Sequence, residues 1–150
     1  MKQIINYAGI QKLFIDLLNS ETDRAYIRNY GDDSYLISGY LGFVIPTTKN
    51  MLKEYTGDCV NIKGMFEYPQ AVKLELIEGQ TQKVNKKNCL VLRNSSYKED
   101  TNIYIDSKIT KYLDLSKMEI KATQDARMIM FLLDNKVVAI ATAVIKREDN

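Results

Sequence analysis

The residues best suited to chemistry are two carboxylates and a lysine late in the chain. Glu119 and Lys121 form a Glu-x-Lys pattern on a predicted strand, and Asp106 starts a short predicted helix before it. Carboxylates placed in this way can bind Mg²⁺ while the lysine orients an attacking water. The pattern is short and common by chance, and a helix cap with a solvated strand face explains the same residues. A small Mg²⁺-dependent nuclease is one alternative for the function.

A second candidate is the tetrapeptide Tyr30-Gly31-Asp32-Asp33, the order found on the metal-binding hairpin of RNA-dependent polymerases. A two-metal site needs further carboxylates, and 150 residues are several-fold too few for the remaining parts of a polymerase. Glycine and aspartate tolerate the positive φ of tight turns, and β-branched and aromatic residues flank the motif. The motif therefore predicts a β-hairpin turn.

Several catalytic and cofactor sites lack their residues. The chain has no histidine, which excludes Ser-His and Cys-His nucleophile pairs and imidazole bases. Cys59 and Cys89 belong to no Cys-x-x-Cys pair, so we expect two reduced thiols and no zinc. No glycine-rich phosphate loop occurs. We expect no enzymatic activity, no metal and no cofactor.

The composition is that of a globular protein. Hydrophobic residues make up 45% and charged residues 27%, and the length fits one domain over residues 1–150. The net charge of +2 is too small to indicate nucleic acid or anionic lipid by itself. No apolar segment spans a bilayer and no signal peptide is recognised, so we expect a cytoplasmic protein that binds no membrane.

Helical spacing predicts two main helices. Apolar residues three and four positions apart predict a helix over Tyr7–Leu18, and a second, short helix follows Asp106 or Ser107 as its cap. A short helix with a threonine cap is also predicted within 47–55. The inward-facing residues of the two main helices are Leu13, Phe14, Leu17, Ile109, Tyr112 and Leu113.

The rest of the chain predicts strands joined by tight turns. The polar segment 80–88 is predicted as a connection, and Asp134-Asn135 as the turn of the last hairpin. The predicted strands are 3–6, 24–30, 35–38, 40–46, 59–68, 71–79, 89–94, 103–106, 117–123, 126–135 and 136–146. These elements predict an α+β fold, a mostly antiparallel sheet with two helices packed on one face.

The order strand, helix and three strands occurs twice. Segment 10–46 resembles the first half of a DNA sliding clamp domain, and segment 103–146 is similar to the second half, with a short helix after Ile105-Asp106. The resemblance covers about half of the chain and implies a DNA-clamp-like fold. Clamp rings contain six such domains and point basic helices at DNA, whereas the first helix here has a nearly neutral exposed face. No clamp functional residue therefore carries over.

Two groups of residues are candidates for binding. The segment 83–98 is the most basic, and a basic loop with an aromatic residue can bind phosphates and stack a base, although it can equally be a solvated loop. Four tyrosines cluster on the first hairpins, where strand propensity and interface formation both favour them. The basic candidates are Lys83, Lys86, Lys87, Arg93, Tyr97 and Lys98, and the tyrosines are Tyr26, Tyr30, Tyr35 and Tyr40.

These observations favour a non-enzymatic binding protein. We expect an inhibitor of phage or mobile-element type that docks on a host protein or protein–nucleic-acid complex, for example in replication or CRISPR defence. The missing histidine and the absence of converging carboxylates motivate this expectation. A DNA-associated clamp-like accessory factor is the alternative, binding through Lys83, Lys86, Lys87 and Arg93. A protein partner is expected, nucleic acid is the alternative, and assembly into a homo-oligomer is left open.

Overall fold

The computed structural model describes residues 3–21, 24–39, 41–55, 57, 61–94 and 102–144. Among these residues, nine strands form one sheet in the order β1-β2-β3-β9-β8-β7-β4-β5-β6, and neighbouring strands are antiparallel. The α+β prediction is confirmed. The strands are β1 Ala25–Tyr30, β2 Asp33–Ser38, β3 Leu41–Pro46, β4 Val72–Val84, β5 Lys87–Arg93, β6 Asn102–Asp106, β7 Glu119–Ala122, β8 Met128–Leu133 and β9 Lys136–Thr142. The helices are α1 Tyr7–Leu18 and α2 Ile62–Met65, with 3₁₀ helices Thr47–Lys49, Ser107–Lys111 and Leu115–Lys117.

Helix α1 has the bounds that its apolar spacing predicts. Asn6 caps it, because its side-chain oxygen accepts a hydrogen bond of 3.0 Å from the Gly9 amide. Ile10 and Phe14 are fully buried against the sheet, with Leu13 and Leu17 partly buried beside them. The amphipathic pattern of α1 therefore determines both its length and its buried face.

The second predicted helix is the 3₁₀ helix Ser107–Lys111. The Asp106 carboxylate caps it by accepting a hydrogen bond of 3.0 Å from the Lys108 amide. Its Ile109 is 1% exposed and belongs to the same core as α1. The ring of Phe43 joins the two helices, since it makes edge contacts with Phe14 at 6.3 Å and Tyr112 at 5.5 Å. The prediction of two helices on one face is confirmed.

The segment 59–68 was predicted as a strand, and this prediction is wrong for its described part. Residues Ile62–Met65 form α2, where the Asn61 side chain accepts a hydrogen bond from the Gly64 amide. Ile62 and Phe66 stand four positions apart and are both buried on the second face of the sheet. Burial of these two side chains on one side of a helical turn outweighs the strand preference of the segment.

Gly42 has no side chain, and this allows the α2 segment to lie close to the sheet. A β-carbon at this position would stand 2.8 Å from the Phe66 ring and 2.9 Å from the Ile140 side chain. Phe66 packs there within a core made of β2, β3, β8 and β9 side chains. The second face of the sheet is therefore covered by a short segment seated over a glycine.

The polar segment 80–88 was predicted as a connection, but most of it is paired in strands. Its residues pair with β5 from Thr81, opposite Leu90, to Val84, opposite Lys87. The turn residues Asn85 and Lys86 have φ of 50° and 68°, the pair of positive values that two-residue hairpin turns require. Antiparallel pairing with an apolar partner strand thus extends β4 into a polar sequence.

The prediction of a threonine-capped helix within 47–55 is only partly confirmed. The 3₁₀ helix Thr47–Lys49 is present, but no side chain caps it. The Thr47 hydroxyl instead donates to the Gly31 carbonyl at 2.9 Å, and the Thr47 amide donates to the Asp32 carbonyl at 2.8 Å. The threonine fixes the β1–β2 turn and so cannot cap its own helix.

Both edges of the sheet carry hydrogen bonds from other segments. On β1, the Ile27 carbonyl accepts a bond from the Tyr55 amide, and the Asn29 amide donates to the Glu54 carboxylate. On β6, the Tyr104 carbonyl accepts a bond of 2.7 Å from the Val144 amide. Such contacts reduce the tendency of edge strands to pair with other chains.

The helices in the described ranges are all too short or too polar to cross a lipid bilayer.

We expect the Gly42→Ala substitution to destabilise the protein by about 1–3 kcal/mol, because the added methyl group overpacks the site of Phe66. Gly39→Ala is the matched control, since nothing lies within 4 Å of a β-carbon there. Chemical denaturation measures both free energies of unfolding. Equal stability of the two variants would show that Phe66 does not need a glycine beneath it.

Candidate binding surface

The Tyr30-Gly31-Asp32-Asp33 motif is the β1–β2 hairpin turn that its composition predicts. Gly31 has a φ of 63°, and the Asp33 carboxylate forms a salt bridge of 2.8 Å with Lys136. Throughout the described ranges, no three histidine, cysteine, aspartate or glutamate side chains group closely enough to hold a metal ion. The motif therefore connects and pairs strands.

The three residues considered for a nuclease site lie apart. Glu119 and Lys121 form a weak ion pair of 3.8 Å along β7. Asp106 ends β6 and caps the helix after it. Strands β4 and β5 lie between β7 and β6 in the sheet. Because neighbouring strands are spaced by about 4.8 Å, the backbones of β7 and β6 are about 14 Å apart. Asp106 and Glu119 therefore do not bind one common ion.

The basic candidates are split into two places. Lys83, Lys86 and Lys87 surround the β4–β5 turn and are exposed. Arg93 lies six residues along β5, about 20 Å from the turn, where its Nε donates to Asn102 at 3.2 Å. Tyr97 and Lys98 lie outside the described residues. The structure thus brings together the three lysines and separates Arg93 from them.

The tyrosines of the first hairpin lie on one face. Tyr26 and Tyr30 are four positions apart on β1, and Tyr35 is opposite Arg28, between them, on β2. Side chains two positions apart on a strand, and those of opposed residues, share a face. Tyr40 lies outside the described residues. Tyr26, Tyr30 and Tyr35, which were predicted as interface residues, therefore belong to one surface.

A fourth tyrosine joins this surface from the loop after β3. The ring of Tyr55 meets that of Tyr26 edge-on at 5.0 Å, and Tyr30 meets Tyr35 in the same way at 5.3 Å. We call Tyr26, Tyr30, Tyr35 and Tyr55 the tyrosine row. Tyr55 was missed in the sequence because it lies in no strand, and only the folding of its loop against β1 brings it there.

Some rings of the tyrosine row are packed against the core, and others are exposed to solvent. Tyr35 is 9% exposed and packs against Phe66 at 5.1 Å, whereas Tyr30 and Tyr55 are 40% and 37% exposed. The Lys63 ammonium lies 5.8 Å from the centre of the Tyr30 ring, within the range of a cation–π contact. The row combines fixed aromatic rings, the residue type enriched in protein interfaces, with the Lys63 charge at its margin.

Burial raises the pKa of the Tyr35 phenol, and the nearby Asp33 carboxylate raises it further. The phenol therefore stays neutral at physiological pH and the row carries no negative charge from it.

Comparison of the chain with protein-family models, curated proteins and solved structures found no match. The clamp resemblance stays a prediction, and the function is argued from the chemistry of the surface.

We expect Tyr35 to weaken the fold in alkali. Its pKa is raised in the folded state, so its contribution to stability is complete below its ordinary pKa of 10.0 and is lost as the pH rises through the folded value. The Tyr35→Phe variant should therefore lose less unfolding free energy than the wild type between about pH 9 and pH 11. Denaturant titrations at both pH values measure this difference.

Tyr68→Phe is the control, because it removes the hydroxyl of an exposed tyrosine outside the row. It should follow the wild-type pH dependence. If Tyr35→Phe also follows it, the folded protein does not hold the Tyr35 phenol in its neutral form.

Proposed function

We propose that this protein is a non-enzymatic binding protein that docks on a partner protein through the tyrosine row. The observation that carries the proposal is the pairing of two exposed rings, Tyr30 and Tyr55, with two anchoring rings, Tyr35 and Tyr26. Ring contacts that exist before binding reduce the side-chain entropy lost on association. Tyrosine adds a large apolar area with a hydroxyl that can form a hydrogen bond.

The polar groups around the row support the same proposal. The Arg28 side chain lies on the face between Tyr26 and Tyr30 and donates to the Gly57 carbonyl at 2.7 Å. Lys63 contacts the Tyr30 ring from α2. Arginine and tyrosine are the residue types over-represented among those that dominate binding energy. A partner with acidic groups around an apolar centre would complement this surface.

An inhibitor is the form of binding protein that we propose, acting by occupying a surface of a host protein or protein–nucleic-acid complex. The bias towards Lys, Asn, Ile and Tyr, with no Trp, favours a phage or mobile-element origin. Such a role requires a stable docking surface and no chemistry of its own.

The test is quantitative capture with the full chain as bait. A Tyr30→Ser/Tyr55→Ser variant should capture the wild-type partner at least about tenfold more weakly, since central interface tyrosines contribute about 2 kcal/mol or more each. The matched control is Ile15→Ser/Leu18→Ser, which changes two exposed apolar residues of α1 on the opposite face.

Circular dichroism would first show that both variants are folded. A partner that the α1 variant loses and the tyrosine variant keeps would place docking elsewhere. Retention of the partner by both variants, or no captured partner at all, would contradict the proposal.

Nucleic-acid binding through the β4–β5 turn is the second candidate. Lys83, Lys86 and Lys87 converge at the end of a two-stranded hairpin, where residues 78–83 and 85–88 are exposed. A two-stranded ribbon fits the major groove of DNA, and lysines can neutralise phosphates beside it. Three of the four predicted DNA-binding residues, the lysines, lie together at this turn, and Arg93 lies away from them.

Charge reversal at this turn tests the alternative. Changing Lys83, Lys86 and Lys87 to Glu should weaken duplex DNA binding. It should also make the slope of the logarithm of the binding constant against the logarithm of the salt concentration shallower by about 0.9 per lost phosphate contact. Fluorescence anisotropy over a series of salt concentrations measures both effects.

The control variant changes Lys108, Lys111 and Lys117 to Glu, which alters the net charge equally on other exposed lysines. Equal weakening by the two variants would indicate a general charge effect. It would remove the β4–β5 turn as a specific DNA contact.

A further inference from the structure

An open cleft of about 560 Å³ lies between the chain after α2 and the β7–β8 turn. Tyr68 and Pro69 form one wall, Thr123 and Arg127 belong to the other, and Met128 adds an apolar side chain. Tyr68 is 44% exposed, so part of its ring is free to contact a ligand. The volume falls within the range of small-ligand and peptide sites.

Hydrogen bonds fix the turn that carries Arg127. The Asp125 carboxylate accepts bonds from the Thr123 hydroxyl at 2.6 Å and from the Arg127 amide at 3.1 Å. These two bonds, the side-chain one first, hold the pKa of Asp125 below its usual value, so this carboxylate is ionised. The Arg127 guanidinium is exposed and forms no salt bridge within the described part of the chain.

Two lysines continue the same face next to the cleft. Lys73 on β4 is directly opposite Lys121 on β7, each two residues from a cleft residue, Ala71 and Thr123. Ala71 and Thr123 lie just beyond β4 and β7, where hydrogen bonds from their amides to Ala122 and Met128 continue the strand pairing, so the alternation of faces extends to the cleft. Like charges directly opposite each other are unfavourable, and an anion beside them relieves the repulsion. Lys121 has Glu119 at 3.8 Å, and no ion pair of Lys73 occurs among the described residues.

The signs of the charges distinguish between two classes of ligand. The ionised Asp125 lies two residues before Arg127 in the turn, and Glu119 lies two residues before Lys121 on β7. A nucleic-acid strand carries a negative charge at every phosphate and would meet these two carboxylates. A peptide can present one carboxylate to the cations, amides to Asp125 and an apolar side chain to Tyr68 and Pro69.

We propose that this cleft binds a peptide segment of a partner protein in which an apolar side chain stands beside a carboxylate. The apolar side chain contacts Tyr68, Pro69 and Met128, and the carboxylate pairs with Arg127, beside the positive charges of Lys73 and Lys121. This site is separate from the tyrosine row and does not depend on it.

The test is a titration of the ¹⁵N-labelled full chain with the capped peptide Ser-Phe-Glu-Ser, followed by nuclear magnetic resonance. Backbone amide signals of Tyr68 and of the 123–128 turn should shift. The same peptide with Gln in place of Glu should bind roughly tenfold more weakly, because a charge-assisted hydrogen bond is lost. An oligothymidylate of similar length serves as the nucleic-acid probe.

The Arg127→Gln variant should weaken the Glu peptide roughly tenfold and leave the Gln peptide unchanged. It keeps the backbone amide that bonds to Asp125, so the turn is preserved. Arg24→Gln is the control, an exposed arginine directly before β1, five strands from β7. It should change neither peptide.

Four results would overturn the proposal: no shift at millimolar peptide, shifts elsewhere, equal binding of the Glu and Gln peptides, or tighter binding of oligothymidylate in the cleft. A weakening of the Glu peptide by Arg24→Gln equal to that by Arg127→Gln would also overturn it.

Discussion

The central strands of this protein are buried on both faces, and this constraint governs the rest of the structure. Strands β2, β3, β9 and β8 are neighbours, and each has four consecutive buried residues, so both sides need a cover. Helix α1 and the 3₁₀ helix Ser107–Lys111 cover one side through Phe14, Phe43 and Tyr112. The other side has the short α2, with Phe66 packed over Gly42.

The small second cover explains where binding surfaces occur. A four-residue helix cannot extend over a wide sheet, so its margins expose aromatic and charged side chains that the sheet itself positions. The tyrosine row lies at one margin, and the cleft beside Tyr68 and Arg127 lies at another. The edges of the sheet are engaged by Tyr55 and Val144. Faces and turns, more than strand edges, therefore remain for recognition.

The carboxylates of the described residues serve structure wherever a contact is defined. Asp106 and Asp125 accept backbone hydrogen bonds, and Asp33 and Glu119 pair with lysines. The antiparallel sheet distributes these groups over different strands. The exposed tyrosines and the cations beside them suit binding, and they are the basis of the proposed function.

Elements whose signals are local follow from the amino-acid sequence alone. The apolar spacing of α1, the capping residue Asp106 and the glycine and aspartate turns depend on neighbours within a few positions, so they were predictable. Segments 62–65 and 81–84 were not, because burial on the second face made one a helix and pairing with β5 made the other a strand. The binding surfaces also depend on distant residues. Tyr55 reaches Tyr26, and Tyr68 reaches the 123–128 turn, only after the sheet has formed and α2 has packed on it.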